Sequence, residues 1–194
     1  MPFQFKNKCY NLIAKGGKNM GHPIKHFITI TKHRHLVRKL CFKMGLYKQG
    51  LFHDLSKYSL TEFINSSKYY TGTHSPTISE REDKGYSDIW MHHKGRNKHH
   101  YEYWFDFSYE HQKYMPVKIP IKYVKEMICD RIAASKVYLK NKYTQSSALE
   151  YFERTTDGKE MHPETRDLLR SWLELVSIKG EKEAIKIIRK VKTY

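Results

Sequence analysis

Residues 121–140 read IKYVKEMICDRIAASKVYLK, directly after Pro120. Tyr123, Met127, Asp130, Ala134 and Val137 step by 4, 3, 4 and 3, the spacing of one face of an α-helix. Pro120 suits the start of that helix, because the first turn needs no partner for its missing N–H. Four of the five positions are apolar or aromatic, and the fifth is a carboxylate. An ionised Asp130 on such a face is costly unless it meets a cation: Arg131, Arg34, Lys57 or a metal ion.

Outward from this segment the same periodicity recurs and strand alternation is nearly absent. Thr31 to Met44 is expected to be helical, with Val37, Leu40, Cys41 and Met44 inward and Gly45 as its stop. His33 lies four residues before Val37 and shares its face, whereas His35 is turned away. A short helix is expected from about Leu46 to Leu55. Ser59 and Glu62 fit a capping box that starts another helix toward Tyr70. Residues 71–86 are rich in turn formers and read as a loop. Ser87 to Trp104 reads as a helix with a break at Gly95, and Pro116 and Pro120 bracket an extended connector. Two further helices are expected, one from Pro163 to Gly180 and one carrying Ala184, Ile185, Ile187 and Ile188.

The class is therefore all-α, as one helical bundle. Residues 1–30 are expected to form a basic arm or short helix, 31–140 a helical core, and 141–194 helices packed on the same domain. A length of 194 residues suits one domain.

The chain holds 36 Lys and Arg against 20 acids, a net charge of +16. Residues 1–53 contain eleven Lys and Arg and no acid; the first carboxylate is Asp54. Such a field favours phosphate-bearing partners, either a small molecule or nucleic acid. Cys9, Cys41 and Cys129 are far apart and odd in number, which excludes a disulfide scaffold and a zinc ribbon and points to a reducing, cytoplasmic setting. No apolar run is long enough to span a membrane, and the N-terminus lacks the pattern of a secretory signal. Walker A and G-x-G-x-x-G loops are absent from the sequence.

Histidine is the abundant chemistry-bearing residue, with twelve copies that include His53-Asp54 and the cluster His92, His93, His99 and His100. Imidazoles and carboxylates without thiolates suit Mn, Fe, Co, Ni or Zn. Adjacent His53 and Asp54 cannot both point inward from one straight helix, but both can at a helix end. His92 and His99 on an unbroken helix would lie about 10.5 Å apart, too far for one ion, so Gly95 would have to break it. His92 is favoured over His93 because it follows Ile89 by three residues; helical phase does not separate His99 from His100.

The order His33, then His53-Asp54, then Asp130 resembles the signature of the HD superfamily of metal-dependent phosphohydrolases, which are helical. The strings HDLSKYS, HHKGRNKHH and CDRIAAS also resemble those of a group of small proteins placed in or near that superfamily. The resemblance covers roughly residues 30–140. It implies an HD-domain-like bundle with His33, His53, Asp54 and Asp130 as metal ligands. His92 and His99 would supply a second metal or touch substrate phosphate, giving one or two divalent transition-metal ions. It further implies hydrolysis of a phosphomonoester or phosphodiester, on a nucleotide or other phosphate-bearing substrate. Lys57 and Arg96 would neutralise developing charge and Asp54 would assist proton transfer. The same fold hosts di-iron oxygenases, which is the enzymatic alternative. A basic nucleic-acid-binding protein without turnover is the non-enzymatic one.

Overall fold

The computed structural model describes residues 21–155 and 157–194. Helix α1 spans Pro23–Lys43. Its buried positions His26, Ile30, His33, Val37 and Leu40 step by 4, 3, 4 and 3, so one stripe carries both core and site residues. Pro23 starts it in the first turn, and Gly45, at φ 78°, ends it in the left-handed conformation open to glycine. The helix thus begins eight residues earlier than the Thr31 boundary expected from sequence. Residues 23–30 are its first two turns rather than part of an arm, and the expectation for residues 1–20 lies outside the described residues.

Helix α2 spans Tyr47–Phe52 and a 3₁₀ turn follows at Leu55–Tyr58. Helix α3, Leu60–Lys68, starts at Ser59, whose hydroxyl accepts from the Glu62 N–H. Residues 71–86 are not all loop: Pro76–Lys84 forms helix α4, opened by Ser75-Pro76 and closed by Gly85 at φ 81°. Glu80, fully buried on α4, accepts from the Ser87 hydroxyl and the Ile89 N–H and so ties down helix α5, Asp88–Lys94. Helix α5 stops at Gly95, and a 3₁₀ turn occupies Tyr101–Tyr103. The connector before Pro120 contains a small antiparallel hairpin, β1 Phe105–Ser108 and β2 Lys113–Pro116, with Phe105 opposite Pro116.

Helix α6 spans Ile121–Leu139, followed by α7 Ser147–Arg154, α8 Asp157–Glu160 and α9 Pro163–Lys190. Gly180, at φ 76° and ψ 158°, breaks α9 where the sequence indicates a stop. The architecture is all-α. One apolar core joins Val37 and Leu40 of α1, Ile128 and Ile132 of α6, Phe152 of α7 and Leu173 of α9. Each fully buried aliphatic side chain there contributes about 1.5–3 kcal/mol. Helix α6 is central: one face enters this core and the other carries Glu126 and Asp130 toward α1 and α2. Among the described residues no helix is long and apolar enough to cross a membrane.

Candidate metal centre

The centre starts from a backbone break. Helix α2 ends at Phe52, His53 is extended at φ −51° and ψ 127°, and Asp54 is left-handed at φ 51° and ψ 29°. A non-glycine residue rarely adopts positive φ, and aspartate is among those that tolerate it best. The reversal turns consecutive side chains inward together: His53 is 2% exposed and Asp54 0%. Arg34 of α1 holds the break, donating to the His53 carbonyl at 2.7 Å and the Leu51 carbonyl at 3.0 Å. Its guanidinium therefore caps α2 and is not the partner of Asp130.

Two groups of donor atoms meet at Asp54. In the first, Asp54 Oδ2 lies 3.3 Å from His53 Nε2 and 3.7 Å from His33 Nε2. Asp130 Oδ1 lies 2.9 Å from His33 Nε2 and 3.4 Å from His53 Nε2. Donors about 2.1 Å from a common ion are about 3.0–3.4 Å apart when adjacent in octahedral or tetrahedral geometry. His33, His53, Asp54 and Asp130 thus converge as one coordination sphere would require, although α1, α2 and α6 are remote in sequence.

The second group uses the other oxygen. Asp54 Oδ1 lies 3.3 Å from His93 Nε2 and 3.4 Å from His99 Nε2, and His100 Nε2 lies 2.9 Å from His93 Nε2. The four donors Asp54, His93, His99 and His100 lie within 4.8 Å of one another. The break at Gly95 returns the chain so that His99 and His100 face His93, and Asn97 fastens the return by donating to the His93 carbonyl at 2.8 Å and to Ser56 Oγ at 2.9 Å.

His92 belongs to neither group, contrary to the preference drawn from its spacing to Ile89. Ile89 and His93, four apart, occupy the buried face of α5, and His92 falls at its margin with Nδ1 3.2 Å from Glu62 Oε2. Arg96 is exposed, its guanidinium on the His92 carbonyl at 3.1 Å, and is not part of either group. Lys57 is close: Nζ lies 2.6 Å from Asp54 Oδ2, with the side chain 28% exposed.

His53 Nε2, His99 Nε2 and Asp54 Oδ1 are buried without a hydrogen bond, whereas Asp54 Oδ2 is ion-paired to Lys57 and His33 Nε2 lies beside Asp130 Oδ1. All five aim into the two groups. Buried polar atoms are ordinarily paired, so such a convergence of unpaired donors fits cations. Charge agrees. The carboxylates of Asp54, Asp130, Glu62 and Glu126 crowd the histidines, and Lys57 supplies one ammonium against them.

This imbalance sets the proton affinities. For His53, burial opposes the charged form, but Asp54, Asp130 and Glu126 outweigh it and raise the pKa well above its ordinary value. His93 rises likewise, burial being outweighed by Asp54 and Glu62. Burial alone would raise Asp54, yet the charges of His53 and Lys57 hold it well below the carboxylate range. Burial pushes His33 down, and pushes His100 down further with the help of His99 and His93.

Residues 22–175 match the model of a family of unknown function, DUF5662. The chain belongs to DUF5662. The match contains every donor of both groups, from His33 to Asp130. No curated protein and no solved structure matches the chain.

Beyond the donors, this DUF5662 chain carries two buried glutamates at the site, Glu62, which the sequence assigns to a capping box, and Glu126, which sequence reasoning left unassigned. Glu62 caps nothing with its carboxylate, since the Ser59 N–H goes to the Ser56 carbonyl. Instead Glu62 Oε1 meets His93 Nδ1 at 2.7 Å. Glu126 Oε1 meets His53 Nδ1 at 2.9 Å and His99 Nδ1 at 3.3 Å. The signal for Glu126 was present: it precedes Asp130 by four residues, and two like charges on one helix face repel unless cations lie beside them. These buried His and Asp groups can hold metal ions.

Proposed function

We propose that the protein is a metal-dependent phosphohydrolase acting on a nucleotide or other phosphate-bearing substrate, with two divalent transition-metal ions sharing Asp54. The observation that carries this reading is the division of the Asp54 carboxylate, with Oδ2 on the His33/His53/Asp130 side and Oδ1 on the His93/His99/His100 side. The HD-like order of His33, His53-Asp54 and Asp130 supports it. Bound ions would supply Lewis acidity and a hydroxide-like nucleophile at neutral pH.

The chain's own residues do the rest. Asp54 and the six other donors orient the reacting centre. Asp54 and Asp130, which burial alone would raise but the neighbouring histidines hold well below the carboxylate range, stay ionised there. Lys57, partly exposed beside Asp54, is placed to neutralise charge on a phosphoryl group arriving from solvent. Asp130, whose side chain is 18% exposed, marks the same open side. Arg96 is exposed with its guanidinium on the His92 carbonyl, so the reading rests on Lys57. The basic, acid-free α1 would draw in the anion.

The three histidines of the second group also favour one other reading, a di-iron oxygenase on the same fold. Metal-stripped protein reconstituted with Mn, Fe, Co, Ni or Zn, then offered phosphomonoesters and phosphodiesters, separates them. The hydrolase reading expects phosphate or alcohol release with at least one metal. Oxygen consumption with iron alone, and no ester cleavage across the series, would favour the oxygenase. Salt-sensitive nucleic-acid binding without any metal uptake would leave the non-enzymatic reading.

A further inference from the structure

We infer that Glu126 is a positioning residue shared by both ion groups, holding His53 of the first and His99 of the second so that each turns its Nε2 lone pair to an ion. The inference rests on the two-ion reading above. One carboxylate oxygen, Glu126 Oε1, lies 2.9 Å from His53 Nδ1 and 3.3 Å from His99 Nδ1. The two rings lie side by side, centroids 4.4 Å apart and planes 36° from parallel. Their far nitrogens diverge onto the two oxygens of Asp54, His53 Nε2 to Oδ2 at 3.3 Å and His99 Nε2 to Oδ1 at 3.4 Å.

A neutral imidazole has one N–H and one lone pair. With the N–H donated from Nδ1 to a buried carboxylate, the lone pair is fixed at Nε2, the atom without a hydrogen bond in both rings. His53, His99 and Glu126 are themselves close enough to hold an ion. That use would demand lone pairs on both nitrogens of each ring if the Nε2 atoms also bind ions. Glu126 therefore acts through the histidines rather than as a ligand. It does so from α6, one turn before Asp130, so one rigid helix sets a ligand and the orienter of two others.

Glu62 is the internal control. It reaches His93 of the second group, and its other oxygen goes to His92, outside both groups. The two glutamates therefore differ in reach: Glu126 spans both ions and Glu62 one.

The test is calorimetric titration of metal-stripped full-length protein with zinc, for the parent, Glu126→Gln and Glu62→Gln. The parent should bind two ions. Glu126→Gln should weaken both by roughly 10–100-fold, the usual effect of losing a carboxylate that orients a metal-binding imidazole, and Glu62→Gln should weaken one. Ring ¹H–¹⁵N spectra of the zinc-loaded parent should show the Nδ1–H form at His53 and at His99, a readout independent of whether either variant folds. An Nε2–H form at either ring overturns the inference. So does a parent with two ions whose Glu126→Gln variant keeps full affinity at one of them. A parent that takes up no zinc overturns the two-ion reading itself, and the inference with it.

Discussion

The two faces of α6 meet two different interiors. On one face Ile128 and Ile132 are 0% and 1% exposed among aliphatic and aromatic side chains. On the other, Glu126 and Asp130 meet His33, His53 and His99. The first interior is complete as it stands: burial stabilises it without regard to ligand, and to first order without regard to pH. The second has crowded carboxylates and buried ligand atoms without a hydrogen bond, a composition that can hold cations. One helix thus divides the domain into a part that makes the fold and a part where the fold gathers its ligand atoms. Perturbing each part separately tests that division.

The largest effect is expected from Asp54→Asn. Asparagine tolerates the left-handed backbone and keeps the shape, but one charge-bearing bridge between two groups is lost. Both ions should leave together, and any phosphoesterase activity should fall by about a thousandfold or more. Apo-state stability should fall as well, because the charges of His53 and Lys57 favour the ionised Asp54 carboxylate in the folded protein and asparagine forfeits that attraction. Metal content and turnover read the first two outcomes; a melting curve reads the third.

Next is Ile128→Ala on the other face. A cavity at a fully buried isoleucine should cost about 2–5 kcal/mol of stability. The folded protein should still bind metal with parental stoichiometry. Loss of metal affinity in molecules that remain folded would show that the two interiors are not separable.

A smaller effect concerns pH and His26, near the site but outside both groups. Its Nε2 lies 2.7 Å from Ser66 Oγ, and its buried Nδ1 has no partner, so a second ring proton has nowhere to go. Burial, and then the charge of Lys57, lower its pKa to about 4. Between about 4 and the unfolded value of 6.5 the unfolded chain binds this proton and the folded chain does not. The contribution to stability is therefore full above pH 6.5 and is lost as pH falls toward 4, by up to about 3 kcal/mol. Comparing the parent with His26→Gln isolates it from other groups: the parent's stability should fall more steeply from pH 6.5 to 4. Equal slopes would mean that His26 is not held neutral.

The smallest is Arg34→Lys. A lysine reaches one of the two carbonyls that the guanidinium spans. About 1 kcal/mol of stability should be lost, read by denaturant unfolding.

Much of this division was legible in residues alone. The 4, 3, 4, 3 step that carries Asp130 also gives the helix, and the stripe from His33 to Leu40 gives the opposing surface. The His53-Asp54 pair at a helix end anticipates the break, because no straight helix turns neighbours to one side. What escaped was whatever depends on a third element. Helix α4 hides in turn-forming residues because its stability comes from buried Glu80 holding α5, not from periodicity. His92 and His93 differ by 100° of helix, and only the packing of Ile89 decides which faces in. Glu62 satisfied a local capping pattern so well that its long-range role with His93 left no separate trace.

In the two-ion reading Asp54 joins both sites. Elemental analysis of the full chain, purified without chelator and assayed beside Asp54→Asn, tests it most directly. About two transition-metal ions per parent chain are expected, and nearly none in the variant. A parent that carries no transition metal and takes none up on reconstitution, or a variant that keeps one ion tightly bound, would contradict it.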